Sequence, residues 1–367
     1  MAVKFLDLRK QHLSLKAEID QAIAEVFETS AFVSGQYVSK FEDEFAKYQQ
    51  VAHCIGCGNG TDAIEIALEA LNLPPNSEVI VPANTFIATS EAVTRSGHRV
   101  VFCDCDPETY TIGETQIRAK LSANTRAVIV VHLYGQPCDM NGIMRFAQER
   151  NLKVIEDCAQ AHGADIGGRR VGSIGALGTF SFYPGKNLGA VGDAGAVVTN
   201  DRFLAQKVRM IANHGRIGKY DHEFEGRNSR LDGLQAAILS VKLRHLDEWI
   251  RRRREVANYY YSSLSGLDDL GLPGRKNWGG HVFHLFVVKT KRRDELREFL
   301  ADRGIETGIH YPIALPKLKA YAYISQASDD MSANRIDSEL LSLPIGDHMS
   351  IDDAAEVSSA CRHFFAK

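Results

Sequence analysis

Phe180-Ser181-Phe182-Tyr183-Pro184-Gly185-Lys186-Asn187-Leu188-Gly189, closed by Gly192-Asp193-Ala194-Gly195, is the stretch around which the rest of the chain can be read. Thr179 to Phe182 is a short apolar run that predicts a strand. Pro184 and Gly185 then turn the chain, and Lys186 stands at the strand-to-loop edge with Gly189, Gly192 and Gly195 close behind. Glycines there let a flat ligand approach the backbone. An amine in such a position forms a Schiff base with an aldehyde once its pKa is lowered. A lone lysine beside a glycine-rich turn is ordinarily a solvated surface group, so the reading depends on other stretches.

Cys54-Ile55-Gly56-Cys57-Gly58-Asn59-Gly60-Thr61-Asp62-Ala63 runs from a glycine-rich loop into a helix predicted over 62–71. The unpaired N–H groups at that helix start, with the helix dipole behind them, make an anion site. A dinucleotide fingerprint needs glycine where Thr61 stands, and an acidic residue at the end of the next strand. That strand, Val79-Ile80-Val81, runs instead into Pro82-Ala83-Asn84. The loop therefore suits a monophosphate. Glu156-Asp157-Cys158-Ala159-Gln160-Ala161-His162-Gly163 follows another apolar strand. Asp157 has no local partner and is either a cap or buried acceptor, or a functional carboxylate. His162, beside Gly163, reads as structural.

Strands expected at 78–81, 99–103, 127–133, 153–156 and 195–199 alternate with helices at 62–71, 85–96 and 141–150. Near-continuous apolar strands between helices predict a mostly parallel sheet covered on both faces. Ligands of such sheets bind beyond the carboxyl ends of the strands. Two amphipathic helices precede it: one over 10–30, and one over 38–48 with Phe41, Phe45 and Tyr48 on a stripe that reads as core or subunit contact. A long helix is expected from Leu231 to Leu264. Its Arg251-Arg252-Arg253-Arg254 run points in all directions and reads as solvated or interfacial. A strand over 281–288 and helices over 294–303 and 352–364 make a smaller α+β domain. The expected division is a large domain, 1–250, and a small one, 251–367.

The chain has 367 residues, 44% hydrophobic and 24% charged, which is ample for a large core. A net charge of −3 gives no reason to expect a nucleic acid or a membrane surface as partner. No signal-peptide pattern opens it, and no run nears the ~20 apolar residues of a membrane span. A soluble cytoplasmic protein is expected. Of the seven cysteines, Cys54/Cys57 and Cys103/Cys105 are closely spaced. Neither pair has the second pair or the histidine pair of a zinc site, Cys103 and Cys105 read as small hydrophobes in a strand and its exit, and no metal is expected.

With these residues in view, the chain resembles the sugar aminotransferases of the DegT/DnrJ/EryC1/StrS family. These have the aspartate-aminotransferase-like fold (fold type I) of pyridoxal-phosphate enzymes. The resemblance runs from Phe5-Leu6-Asp7-Leu8 through Gly58 to Ala63, Pro82-Ala83-Asn84-Thr85-Phe86, Glu156 to Gly163, Phe180 to Gly195, Asn228-Ser229-Arg230-Leu231-Asp232 and His310-Tyr311-Pro312. It implies an α/β large domain with a smaller C-terminal one, and roles for particular residues. Lys186 would be the Schiff-base lysine and proton shuttle. Asp157 would keep the pyridine nitrogen protonated, Gln160 would hydrogen-bond the ring's 3-oxygen, and Phe86 would stack on the ring. Gly60, Thr61 and Ser181 would bind the phosphate, joined by Asn228 from a neighbouring subunit, which requires a homodimer with shared sites. Tyr183, His214, His310 and Tyr311 are substrate-contact candidates by position.

The implied reaction is ping-pong. L-glutamate converts pyridoxal 5′-phosphate to pyridoxamine 5′-phosphate, and a keto sugar on a nucleotide diphosphate takes the amine. The Gly58-to-Ala63 wording favours C3 of a 3-keto sugar, with a C4 aminotransferase as the alternative. A pyridoxal-phosphate sugar dehydratase would carry histidine in place of Lys186. A degenerate regulator would lack Lys186, Asp157 or Gln160, and a nicotinamide dehydrogenase conflicts with Thr61.

Overall fold

The computed structural model describes residues 2–366. Its strands are β1 His53–Cys57, β2 Glu78–Pro82, β3 Arg99–Cys103, β4 Thr125–Val131, β5 Lys153–Asp157, β6 Asp165–Ile166, β7 Arg169–Arg170, β8 Leu177–Ser181, β9 Gly195–Thr199, β10 Phe286–Lys289 and β11 Leu340–Leu343. Seven form the main sheet in the order β1-β9-β8-β5-β4-β2-β3. From β8 to β3 every neighbouring pair is parallel, and β9 alone runs against both of its neighbours. This is the α/β sheet expected from the continuous apolar runs. Ala127 to Val131 of β4 are all buried, as a strand covered on both faces must be.

Helices cover each face. On one side Phe41 and Phe45 of helix Gln36–Gln49 meet Phe180 and Phe182 edge-on. The ring centroids are 5.3 Å apart for Phe41–Phe182 and 5.0 Å for Phe45–Phe180. All four rings are fully buried. At about 2–3 kcal/mol per buried ring, this cluster fixes the exit of β8 and hence the direction in which Ser181 and Lys186 leave the sheet. A second two-stranded sheet, β10-β11, packs with helices Arg293–Ala301 and Ile351–Phe365 around Tyr260, Phe286, Leu296, Leu341 and Phe364.

Several expected elements differ. The helix expected over 10–30 is two, Leu8–Ser14 and Lys16–Thr29, parted at Leu15. The helix expected over 231–264 is also two, Gly233–Leu243 and Leu246–Leu264. Leu246, Trp249 and Ile250 of the second pack into the large core, and Val256, Tyr260 and Leu264 into the small one. The expected division after residue 250 falls inside this helix. The strand expected over 127–133 stops at Val131, and the one over 281–288 begins only at Phe286. His281 and Phe283 stack on each other at 3.8 Å, and Phe283 takes a φ of 46°, which no strand accommodates. β1 and helix Arg202–Ala212 were not anticipated. Among the described residues no helix is long and apolar enough to cross a membrane. All seven cysteines are buried and unpaired.

Candidate active site

The carboxyl ends of β4, β5 and β8 open into a cleft of about 630 Å³. Gly60, Thr61, Phe86, Asp157, Gln160, Ser181, Tyr183, Lys186, His310 and Tyr311 all line it. His214 and Asn228 do not line this chain's cleft. They flank a loop in which Asn213 bridges to Asn228 and the His214 carbonyl accepts from His222 Nδ1 at 2.7 Å.

The phosphate end is built by helix Gly60–Leu71. Its cap, Asn59, accepts from the Asp62 N–H at 2.8 Å, and the Asn59 carbonyl accepts from Ala63 at 3.1 Å. That leaves the Gly60 and Thr61 N–H groups for an anion, on the positive end of the helix dipole. Gly60 has to be glycine: a Cβ there would lie 2.5 Å from the Ser181 Cβ. Ser229 ties the loop down, because its hydroxyl accepts from the Gly58 N–H at 3.0 Å and donates to Asp62 at 2.6 Å.

At the other end Asp157 terminates β5, 5% exposed. Thr89 donates its hydroxyl to Asp157 Oδ2 at 2.9 Å and the Ala159 N–H donates to Oδ1 at 3.1 Å. Burial raises the Asp157 pKa, while those two donors and the Lys186 charge pull it down. Desolvation pushes the Lys186 amine down to about 8, with Asp157 pulling upward. An amine near 8 is a far better nucleophile at neutral pH than an ordinary lysine. Gln160 is oriented from both sides: its Oε1 accepts from the Tyr134 N–H at 2.6 Å and its amide donates to the Tyr311 hydroxyl at 3.0 Å. Phe86 remains 54% exposed, its ring 5.9 Å from that of Tyr311. It offers an open aromatic face. Burial, then the Lys186 charge, push His310 down to about 4, so its imidazole is neutral.

Among the lining residues that escaped the sequence reading are Thr89, Arg253 and His284. Arg253 corrects the reading of the whole arginine run as solvated or interfacial. It is 3% exposed and donates Nη1 to the carbonyls of Phe283, His284 and Ile345 at 3.1, 3.3 and 3.1 Å. The signal was present, since 246, 249, 250, 253, 256, 257, 260 and 264 form one helical stripe with Arg253 in its middle. His162 is fully buried, tilted against Phe180 and Phe182.

A model of the DegT/DnrJ/EryC1/StrS aminotransferase family matches residues 13–362. The dTDP-3-amino-3,6-dideoxy-alpha-D-galactopyranose transaminase of Aneurinibacillus thermoaerophilus is 46% identical over 99% of this chain and 99% of that protein. The dTDP-3-amino-3,4,6-trideoxy-alpha-D-glucose transaminase of Streptomyces venezuelae is 44% identical over 99% of this chain and 96% of that protein. The crystal structure of S. venezuelae DesV in complex with a ketimine intermediate superposes with a TM-score of 0.97. It is 42% identical and covers 100% of this chain and 99% of that one.

Proposed function

The chain belongs to the DegT/DnrJ/EryC1/StrS aminotransferase family, and from that premise we propose that it moves an amino group from L-glutamate to C3 of a keto sugar carried on a nucleotide diphosphate. Pyridoxal 5′-phosphate is the proposed cofactor. Both relatives above are named for dTDP-linked 3-amino sugars, which supports C3 and makes dTDP the first carrier to test. The observation that carries the reading is Lys186 and Asp157 lining one cleft with the open start of helix Gly60–Leu71.

The residues present fit the cofactor. The Gly60 and Thr61 N–H groups and the Ser181 hydroxyl suit its phosphate, and the close approach of Gly60 to Ser181 leaves no Cβ in the way. Asp157, buried with both oxygens already held, would keep a proton on the pyridine nitrogen. Gln160 would face the ring oxygen, and Phe86 would stack. When bound, the cofactor would supply an electron sink that makes the proton on the amine-bearing carbon removable. Lys186 Nζ, freed once the donor's amine has taken its place on the cofactor, would take this proton and return it to the carbon on the other side of the nitrogen. Its low pKa suits a base that must give the proton back near neutral pH. Asn228 of the partner subunit would complete the phosphate site, which makes the working unit a homodimer. Tyr183, His310 and Tyr311 would meet the sugar, and a cytoplasmic site of action accords with nucleotide-sugar substrates.

The test is the visible spectrum of the protein with pyridoxal phosphate, before and after L-glutamate, followed by a dTDP-3-keto or dTDP-4-keto sugar. A Schiff-base band that fades with glutamate and returns with the 3-keto sugar supports the reading. Return only with the 4-keto sugar moves the reaction to C4. A colourless protein, or a Lys186→Ala variant that still cycles, overturns it.

A further inference from the structure

Asn187 follows the cleft lysine directly, and its side chain is fully buried in a bond that settles a proton elsewhere. Its amide Nδ2 donates to the backbone carbonyl of Val282 at 3.2 Å. A carbonyl can only accept, so the amide orientation is fixed and Oδ1 is the atom that points at His284. The contact of Oδ1 with His284 Nδ1, at 3.1 Å, then has one possible donor. Nδ1 carries the hydrogen, and the neutral ring keeps its lone pair on Nε2. Burial holds the ring neutral, helped by the charges of Lys186 and Arg253 and by the neighbouring His310 and His162. Nε2 has no hydrogen-bond partner among the described residues, and it is not sealed from the cleft, which His284 lines together with Lys186 and His310.

We infer that His284 Nε2 is a preset hydrogen-bond acceptor for a hydroxyl of the sugar ring next to the reacting carbon. The assignment rests on the reaction proposed above. The keto carbon must come beside Lys186, which moves the proton at that carbon, and the flanking hydroxyls of that ring are then the donors nearest a cleft-lining imidazole. An acceptor with no proton rewards a hydroxyl and leaves an unsatisfied lone pair against a deoxy position, so the residue sets specificity for substitution at C4 or C2. His310 cannot substitute for it in the same way, because its Nδ1 lies 2.8 Å from the Ser342 hydroxyl, which can donate or accept and fixes no tautomer.

The experiment compares kcat/KM of the wild type, His284→Phe and His284→Gln holoenzymes on dTDP-3-keto sugars that carry or lack the 4-hydroxyl and on ones that carry or lack the 2-hydroxyl. Wild type should prefer the hydroxylated sugar in one pair. His284→Phe should lower that preference about tenfold, the worth of one hydrogen bond in a closed site. His284→Gln, which keeps an acceptor, should retain part of it. An unchanged preference in His284→Phe overturns the assignment alone, whereas a wild type that turns over none of these sugars brings down the reaction and the assignment together. A second arm needs neither turnover nor cofactor: ¹⁵N NMR of histidine-labelled protein. The His284 signals, identified by their loss in His284→Gln, should report a bare Nε2 that moves when the hydroxylated nucleotide sugar is added. A protonated Nε2 overturns the inference whatever the kinetics show.

Discussion

Glu156 and Asp157 are consecutive carboxylates of one buried strand, and they have opposite fates. Successive side chains of a strand point to opposite faces. Glu156 turns into the protein and accepts from four donors: His132 Nε2 at 3.0 Å and the N–H groups of Gly172, Ile174 and Gly175 at 2.8, 2.7 and 2.6 Å. Burial favours its neutral form, but those donors hold it below the ordinary glutamate range. His132 in turn accepts the Cys138 N–H on Nδ1 at 3.0 Å. The cluster of His132, Glu156 and Cys158 is thus committed to internal hydrogen bonds. Asp157 faces the cleft with two donors and a raised pKa. A carboxylate with a full set of donors is structural; one left short of them beside an amine is reserved for a ligand.

That contrast can be broken by experiment. Asp157→Asn should leave a folded protein whose turnover is lowered about 10³-fold, since in the proposed reaction the proton on the ring nitrogen would lose its holder; steady-state kinetics reads the turnover, and a thermal melt that shows an unfolded variant would erase the distinction. Glu156→Gln should do the reverse. It should cost about 3 kcal/mol of stability, read from denaturant midpoints, because a neutral amide cannot accept all four hydrogens.

pH sharpens the comparison further. A raised pKa means that Asp157 stabilises the cofactor-free fold below its ordinary value of 3.8, and that this contribution disappears as pH rises through the raised value. Cofactor-free Asp157→Asn should therefore be more stable than wild type at neutral pH, with the gain vanishing in acid. Glu156 has the opposite sign: its contribution is present above 4.5 and fades as pH falls through its lowered pKa. The deficit of Glu156→Gln should shrink on acidification. Urea unfolding across the acid range measures both, and parallel curves would refute the assignment. The smallest effect should come from Thr89→Val, which removes one donor to Asp157. A few-fold loss of turnover is expected, with a rise in the pH at which activity appears.

Much of this site could be read from sequence because it stands where strands end. Lys186, Asp157 and the Gly58-to-Thr61 loop each lie at a strand-to-loop edge marked by glycine or by a charge after an apolar run. The residues that escaped are held by tertiary geometry. His284 lies in a segment whose rough alternation suggests a strand, yet the His281–Phe283 stack keeps it irregular until β10. Thr89 becomes a partner of Asp157 only because β2 and β5 flank β4 in the sheet. Arg253 was hidden by its neighbours, for an arginine among arginines conceals the apolar stripe it belongs to. β1 carries Gly56, which weakens a strand on paper. In the fold, a Cβ at that position would stand 2.7 Å from Leu231, so the glycine makes room for the segment that leads into helix Gly233–Leu243.

The Ser229 hydroxyl, set between Gly58 and Asp62, joins positions 171 and 167 residues apart. Closing so distant a pair is costly in chain entropy and happens late. The anion cradle is therefore assembled from the start of the chain but locked only by a loop more than halfway along it. A nascent chain can bury most of its sheet before it can grip a phosphate, and occupation of that cradle would mark the end of folding of the large unit.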